Sequence, residues 1–407
     1  MKIKLLRGAN INGQSLLVKT DGGTNVMIDA GMDMKNNKPL PLDGVEKVDY
    51  LFVTHAHLDH SGDAPEVLAR CGGRFFCNEE TEALMNVLFK DKIYQKTRLR
   101  VSIPKPESYI SYGKYEFNKG FKLHSYGCNH IAGASSFLIE DADKKTAMIS
   151  GDISMHSLPS VKSAMTFPDI KPDVLFLEST YGGSVFPKRE DEEARLAEKV
   201  DEVLVRGGNV LIPAFGVGRT QDVALILKKN GISSYIDGMG IKVADALGLG
   251  EIKRVAGKDH REKIMNQKGN VIVVAAGFLA GGFVLSYLKR WGGQKDGAII
   301  FPSPYQNGLA KEIVGGAKSV AVSEKYYRKG KEVVKEIFVP IRAEVEKFHL
   351  SSHSDQNGLV EYAKKISPKK IVLIHGEDAA KIALADRLRA ESKILVEIAA
   401  DGDEYEI

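Results

Sequence analysis

The chain has 407 residues, 43% of them hydrophobic and 27% charged, with a formal net charge of +4. These are globular values, enough for one large domain or two medium ones. The slight positive balance permits a polyanionic partner without requiring one, and no apolar run reaches the roughly 20 residues that would span a bilayer.

In chain order, Met1–Arg7 reads as a first strand and not as a signal peptide. The chain is strand-rich up to about residue 160, with β-type runs at 25–30, 50–54 and 146–150 between Gly and Asp turns. Ala83, Leu84, Val87 and Leu88 recur at helical spacing and predict a helix over Glu79–Tyr94. From about residue 173 strands and helices alternate. Strands are expected at Val174–Leu177, Val210–Ile212 and Val271–Val274, and helices at Glu190–Val205, Arg219–Lys228 and Phe283–Leu288. That rhythm predicts a parallel α/β layer. Beyond about residue 340 a helix over Asp355–Lys365, a strand over Ile371–Ile374 and a helix over Asp378–Ala390 are expected. The three cysteines, Cys71, Cys77 and Cys128, are odd in number and form no Cys-x-x-Cys pair. A disulfide framework or thiolate zinc site is therefore not expected, and a reduced, cytoplasmic setting is.

Histidine is scarce, ten in all, yet three fall in Thr54-His55-Ala56-His57-Leu58-Asp59-His60. The apolar run Leu51–Val53 precedes them, and Ser61-Gly62 leads into a helical stretch from Ala64 to Ala69. The ligand-type residues thus lie on a strand-to-helix loop, which can aim several side chains at one point. Imidazoles and carboxylates suit zinc or manganese. Four such groups exceed what one ion with an open position needs. His55 and His57 project together, and Asp59 with His60 can face a second ion about 3.5–4 Å away.

The motif His55-x-His57-x-Asp59-His60 after an apolar strand resembles that of the metallo-β-lactamase superfamily. Three further segments match in order: Asp29 in Met27-Ile-Asp29-Ala-Gly31, His130 in Asn129-His130-Ile-Ala-Gly133, and Asp152 in Ser150-Gly151-Asp152. A narrower resemblance, to the β-CASP ribonucleases, covers almost the whole chain. It rests on Glu178 in Leu177-Glu178-Ser-Thr-Tyr181, His353 in Ser351-Ser-His353-Ser-Asp355 and His375 in Ile374-His375-Gly376-Glu377. Gly216-Val-Gly218-Arg219-Thr-Gln221 and the small-residue turn within Val273–Gly282 resemble segments of that family's inserted cap. After Pro304-Tyr-Gln306 the chain departs from many relatives by lacking a Gly-Arg stretch.

The resemblance implies an α/β fold, a metallo-β-lactamase αββα sandwich over 1–184 and 341–407 with a β-CASP α/β cap inserted over 185–340. It implies two Zn2+ ions per chain, His55, His57 and His130 serving one, Asp59, His60 and His375 the other, and Asp152 bridging. Asp29 would brace the histidine loop. Asp59, His353 and Glu178 would be catalytic, with His353 protonating the leaving ribose oxygen and Glu178 holding its second ring nitrogen. The implied substrate is single-stranded RNA, with expected contacts from Arg219, Ser179 and Ser351, and a homodimer is implied as well; separately, the Tyr326-Tyr327 pair interleaved with charge suggests base stacking. Endonuclease and 5′-to-3′ exonuclease action both stay open. So do two other functions: a small-molecule hydrolase of the same superfamily, and a scaffold subunit of an RNA-processing complex.

Overall fold

Ile3 and Leu5 are buried while Lys2 is exposed, the period-two pattern of a strand with one face on a core. Such runs build the first of two compact units into which a computed structural model divides the chain: Met1–Val185 with Ser352–Ile407, and Phe186–Ser351. The structure describes residues 1–91, 94, 104–303, 307–328 and 331–407. Pro304–Gln306 and the side chains of the basic run from Lys325 to Lys331, Tyr326 and Tyr327 included, lie outside what is described.

The first unit holds two seven-stranded sheets. One runs, in spatial order, Glu404–Glu406, Lys2–Arg7, Ser15–Lys19, Asn25–Ile28, Tyr50–Phe52, Arg74–Cys77 and Ser108–Tyr109. The other runs Leu395–Ile398, Lys370–Ile374, Val174–Glu178, Thr146–Ile149, Ser135–Glu140, Lys122–Gly127 and Gly113–Glu116. A common core between them takes Ile3, Leu5 and Phe52 from the first sheet and Phe137, Ile149, Phe176 and Val372 from the second. Phe52 and Phe76 stack at 5.3 Å between centroids, and Phe117 meets both edge-on. Fully burying each such ring contributes about 1.5–3 kcal/mol. The strands Tyr50–Phe52 and Val174–Glu178 are buried at every position, so both faces of each sheet are covered. The helix Asp378–Glu391 packs on Lys370–Ile374 and Leu395–Ile398 of the second sheet. The layering is the expected αββα sandwich, and the C-terminal segment supplies strands to both sheets. The helix expected over Glu79–Tyr94 runs from Glu79 to Phe89, capped at its start by the Asn78 side chain.

The second unit is built on a six-stranded sheet, parallel throughout, in the order Lys253–Arg254, Tyr235–Asp237, Val271–Val274, Val210–Pro213, Ala298–Phe301 and Glu344–Lys347. The predicted helices are present as Arg189–Val205, Arg219–Lys229 and Phe283–Trp291. A long antiparallel hairpin, Ser319–Arg328 with Lys331–Pro340, was not expected from the sequence pattern. The unit extends to Ser351 because Glu344–Lys347 adds the last strand of its sheet. No helix among the described residues is long and apolar enough to cross a membrane.

Candidate metal centre

Strand ends and a single helical turn converge on one cluster in the first unit. After Asn25–Ile28 the chain turns at Asp29, which takes a left-handed φ of 61°. Beyond Tyr50–Phe52, His55 precedes His57, the N-cap of the turn Leu58–Ser61 that carries Asp59 and His60. Asp152 follows the strand Thr146–Ile149, Glu178 ends Val174–Glu178, and His375 follows Lys370–Ile374. The histidine loop crosses so close to Gly31 that a Cβ there would overlap the Asp59 carbonyl. Only glycine fits.

Buried Asp29 holds this loop. Its Oδ1 accepts from the Thr54 amide at 2.7 Å, and its Oδ2 from the Thr54 hydroxyl at 2.9 Å and from His60 Nδ1 at 2.8 Å. Having donated its proton to Asp29, the Thr54 hydroxyl accepts from His55 Nδ1 at 3.1 Å. Both rings are thereby held with Nε2 pointing inward. His130 Nδ1 donates to the Ser352 carbonyl at 3.0 Å, which turns its Nε2 inward as well, 3.0 Å from His57 Nδ1.

Asp152 lies at the centre. Its Oδ2 is 3.5 Å from the Nε2 atoms of both His55 and His130. Its Oδ1 is 3.4 Å from His60 Nε2 and 3.2 Å from His375 Nδ1. His375 Nε2 is 3.6 Å from Asp59 Oδ2. Among the described residues three donor sets result, His55, His57, His130 and Asp152, then Asp59, His60 and His375, and then Asp152, Glu178 and His353, with the donor atoms of each set within 4.8 Å of one another. Four of these atoms, His55 Nε2, His60 Nε2, His375 Nε2 and Asp152 Oδ1, are buried without a hydrogen-bond partner. Leaving so many buried polar atoms unsatisfied costs about 1–3 kcal/mol each. Inward-facing imidazoles and carboxylates without partners form the donor chemistry of a divalent-cation site, and the residues fit one.

The electrostatics agree. Burial pushes His55 and His130 well below the ordinary imidazole range and His57 below it, so all three are neutral and have lone pairs to give. Burial opposes charge on His60 as well, but Asp152 and Asp29 outweigh it and hold that ring well above its usual range. A cation there displaces a proton. Burial favours neutral Asp152, yet the surrounding histidines, His375 first, keep it ionised well below the carboxylate range. For Asp29 burial wins and raises it.

Beside this cluster, His353 Nδ1 contacts Glu178 Oε1 at 3.0 Å, and its Nε2 is 3.9 Å from Asp152 Oδ2. Glu178 is fully buried and fixed by the Ile153 amide at 3.1 Å and the Thr180 amide at 3.0 Å. Burial works against charge on His353, but Glu178 and Asp152 prevail and push it up to about 9. The His353 side chain keeps 18% exposure and that of Asp59 24%, so both border the open side of the cluster.

Ser179, expected near a scissile phosphate, spends its hydroxyl on the Ile374 carbonyl at 2.6 Å and so braces the His375 turn. Gly376 is required beside it, since a Cβ would lie 2.5 Å from the Ser179 hydroxyl. Arg219 and Ser351 belong to the second unit. Arg219 is buried in the first turn of its helix, and the Ser351 carbonyl accepts from Arg189. The basic pairs Lys364-Lys365 and Lys369-Lys370 are ion-paired at the surface to Glu391, Glu361, Asp173 and Glu397. Sequence reasoning missed Thr180, whose hydroxyl is 3.2 Å from His375 Nδ1, and the Ser352 carbonyl that orients His130. Thr180 stands two residues after Glu178, which was a usable signal, whereas a backbone carbonyl leaves none.

Two stacked mixed sheets with a His/Asp cluster at their strand ends define a metallo-hydrolase of the lactamase type. Comparison with known proteins agrees. Residues 10–154 match the metallo-beta-lactamase superfamily, and residues 339–399 match the Zn-dependent metallo-hydrolase RNA specificity domain. The transcription termination factor FttA of Methanocaldococcus jannaschii is 31% identical over 96% of this chain and 69% of its own. An RNase J-like protein of the same organism is 29% identical over 90% of each chain. RNase aCSPSF2 of Saccharolobus solfataricus is 28% identical over 100% of this chain and 85% of its own. A solved protein of unknown function from Enterococcus faecalis V583, 14% identical, shares the fold with a TM-score of 0.65 over 99% of both chains. The chain belongs to the β-CASP ribonuclease family of the metallo-β-lactamase superfamily.

Proposed function

We propose that this chain is a zinc-dependent ribonuclease that hydrolyses phosphodiester bonds in single-stranded RNA. His55, His57, His130 and Asp152 hold one ion, and Asp59, His60, His375 and Asp152 the second. The unpartnered buried nitrogens and the Asp152 oxygen support this ligand assignment. The names of the relatives and the matched RNA specificity domain support RNA as the substrate. When bound, such ions lower the pKa of water towards neutrality and neutralise charge on a phosphate.

The chain's own residues supply the rest. Phosphodiester hydrolysis leaves a ribose oxygen that needs a proton. His353 carries one on Nε2, at the partly open face of the site, and Glu178 keeps the ring charged through Nδ1. Asp29 and Thr54 fix the ring orientations of His55 and His60, and Ser352 does the same for His130. The His353–Glu178 pair beside Asp152 is the observation that carries the reading, because an alkoxide leaving group needs a positioned acid. A cytoplasmic setting rests on the odd cysteine count without a Cys-x-x-Cys pair, and a homodimer, implied by the family, is tested by sedimentation velocity.

The deciding experiment incubates zinc-loaded protein with 5′-labelled RNA bearing either a monophosphate or a blocked end, alongside thioester and lactam substrates. Internal fragments from both RNAs identify an endonuclease, and mononucleotides from the monophosphorylated RNA alone identify an exonuclease. Turnover of only the small substrates refutes the ribonuclease reading, and absence of bound metal after gentle purification favours a scaffold.

A further inference from the structure

The second unit carries an exposed aromatic edge that the chemistry above does not use. Its sheet is parallel, so the C-terminal ends of its strands share one edge, where sheets of this kind take ligands. Three neighbouring strands, Tyr235–Asp237, Val271–Val274 and Val210–Pro213, lead from that edge into the helices Met239–Ala246, Phe283–Trp291 and Arg219–Lys229. Each helix begins at a glycine in the left-handed region, Gly238 (φ 70°), Gly282 (φ 80°) and Gly218 (φ 82°), and none has a side-chain cap. Three helix N-termini therefore bring partial positive charge to one edge, where they favour an anionic partner.

Two phenylalanines stand exposed there. Phe215 is 40% exposed and meets Phe278 edge-on, with 5.0 Å between centroids and 87° between planes. Phe283 is 45% exposed although the Arg261 guanidinium lies 3.5 Å from its ring centroid. That guanidinium is locked by two bonds to Asp237, at 2.6 and 2.8 Å, and Asp237 also accepts from Tyr287 at 2.9 Å. The ring is thus backed by a rigid ionic group, and in the adjoining loop buried Gly277 packs closely on the Ala214–Phe215 backbone, which helps fix the position of Phe215. Pre-fixed rings lose little entropy on binding a flat partner. Flat faces beside converging helix N-termini match a molecule with π-systems spaced along an anionic backbone.

We propose that this edge is a stacking platform for unpaired nucleobases, with Phe215 and Phe283 each taking one base and the phosphates following the helix N-termini. The proposal rests on the RNA reading given above. Its test measures fluorescence anisotropy with labelled oligouridylate and with an abasic oligomer of equal length, in a His353→Ala background that spares the probe. Phe215→Leu and Phe283→Leu should each weaken oligouridylate binding about 5- to 150-fold, from the usual energy of base–aromatic stacking. They should leave the abasic oligomer unaffected, and Phe283→Trp should restore binding. With His353 intact, hydrolysis of bis(p-nitrophenyl) phosphate should be unchanged by either leucine.

Unchanged oligouridylate affinity in both leucine variants overturns the platform. So does equal weakening of the abasic oligomer, or a change of oligomeric state instead of RNA affinity, which would make the edge a contact between copies. RNA binding that is leucine-sensitive in a protein that cleaves no RNA upholds the platform and removes the ribonuclease reading. RNA cleavage with leucine-insensitive binding does the reverse.

Discussion

Replacing Asp29 by Asn isolates the role of a residue that touches neither ion in the proposed arrangement. The substitution preserves volume, and Asn tolerates the left-handed φ of 61° at this position. Its amide oxygen can still accept from the Thr54 amide, now 2.7 Å from Oδ1. The new NH2, however, replaces the oxygen that accepts from His60 Nδ1 at 2.8 Å and from the Thr54 hydroxyl at 2.9 Å. Two donors then face each other in a fully buried site. The cheapest relief moves the His60 proton to Nε2, the atom 3.4 Å from Asp152 Oδ1 that must carry a lone pair to bind a cation. Loss of such an orienting partner typically costs about 10–100-fold in metal affinity, or about 1.4–2.7 kcal/mol. Competition with a chromophoric chelator reads the affinity directly, and circular dichroism of the apoprotein reports whether the fold survives. The second, weaker equivalent should fall out of the titration while the first is largely kept. A variant that binds both equivalents like the parent refutes the tautomer argument.

Glu178→Gln should shift the alkaline limb of the RNA-cleavage pH profile. Glu178 raises His353, and the acid is lost as pH climbs through that group's pKa, so removing the carboxylate moves the limb down by about 1–3 pH units; an unmoved limb contradicts the assignment. His353→Ala should lower cleavage by about 10²–10⁴-fold while metal analysis finds the full complement of ions. Asp152→Asn should lose metal as well as activity. Gly376→Ala should destabilise the first unit by about 1–3 kcal/mol, because the new methyl lies 2.5 Å from the Ser179 hydroxyl and 2.6 Å from its carbonyl oxygen; differential scanning calorimetry with and without chelator would show it.

Much of the site was legible because its residues occupy strand ends that apolar runs announce. Leu51–Val53 fixes where His55 begins, and Thr146–Ile149 does the same for Asp152. The strand Lys370–Ile374 is fully apolar after its first residue, so His375 could be located at its end. Less was legible where tertiary contacts decide. Glu344–Lys347 reads as a charged loop, but it is an edge strand whose Glu344 pairs with Lys199 and Arg206 at 2.9 and 2.6 Å. Tyr235–Asp237 is only three residues long, too short for any periodicity to show. Lys258–Asn266 buries only Ile264 and Met265, so its helical stripe is faint. For Ser179 the residue type suggested substrate contact, and only the fold reveals that the Ile374 carbonyl claims the hydroxyl.

Lys370–Ile374 lies inside the second sheet, between Val174–Glu178 and Leu395–Ile398, although in the chain it comes after the whole second unit. A nascent chain that has not yet released this strand leaves Val174–Glu178, apolar and normally buried, as a bare sheet edge prone to pairing with its neighbours. The same chain lacks His375, so its constellation is one imidazole short. Partial products of synthesis or proteolysis are therefore sticky, and under the proposed ligand assignment they also lack one of the three donors Asp59, His60 and His375.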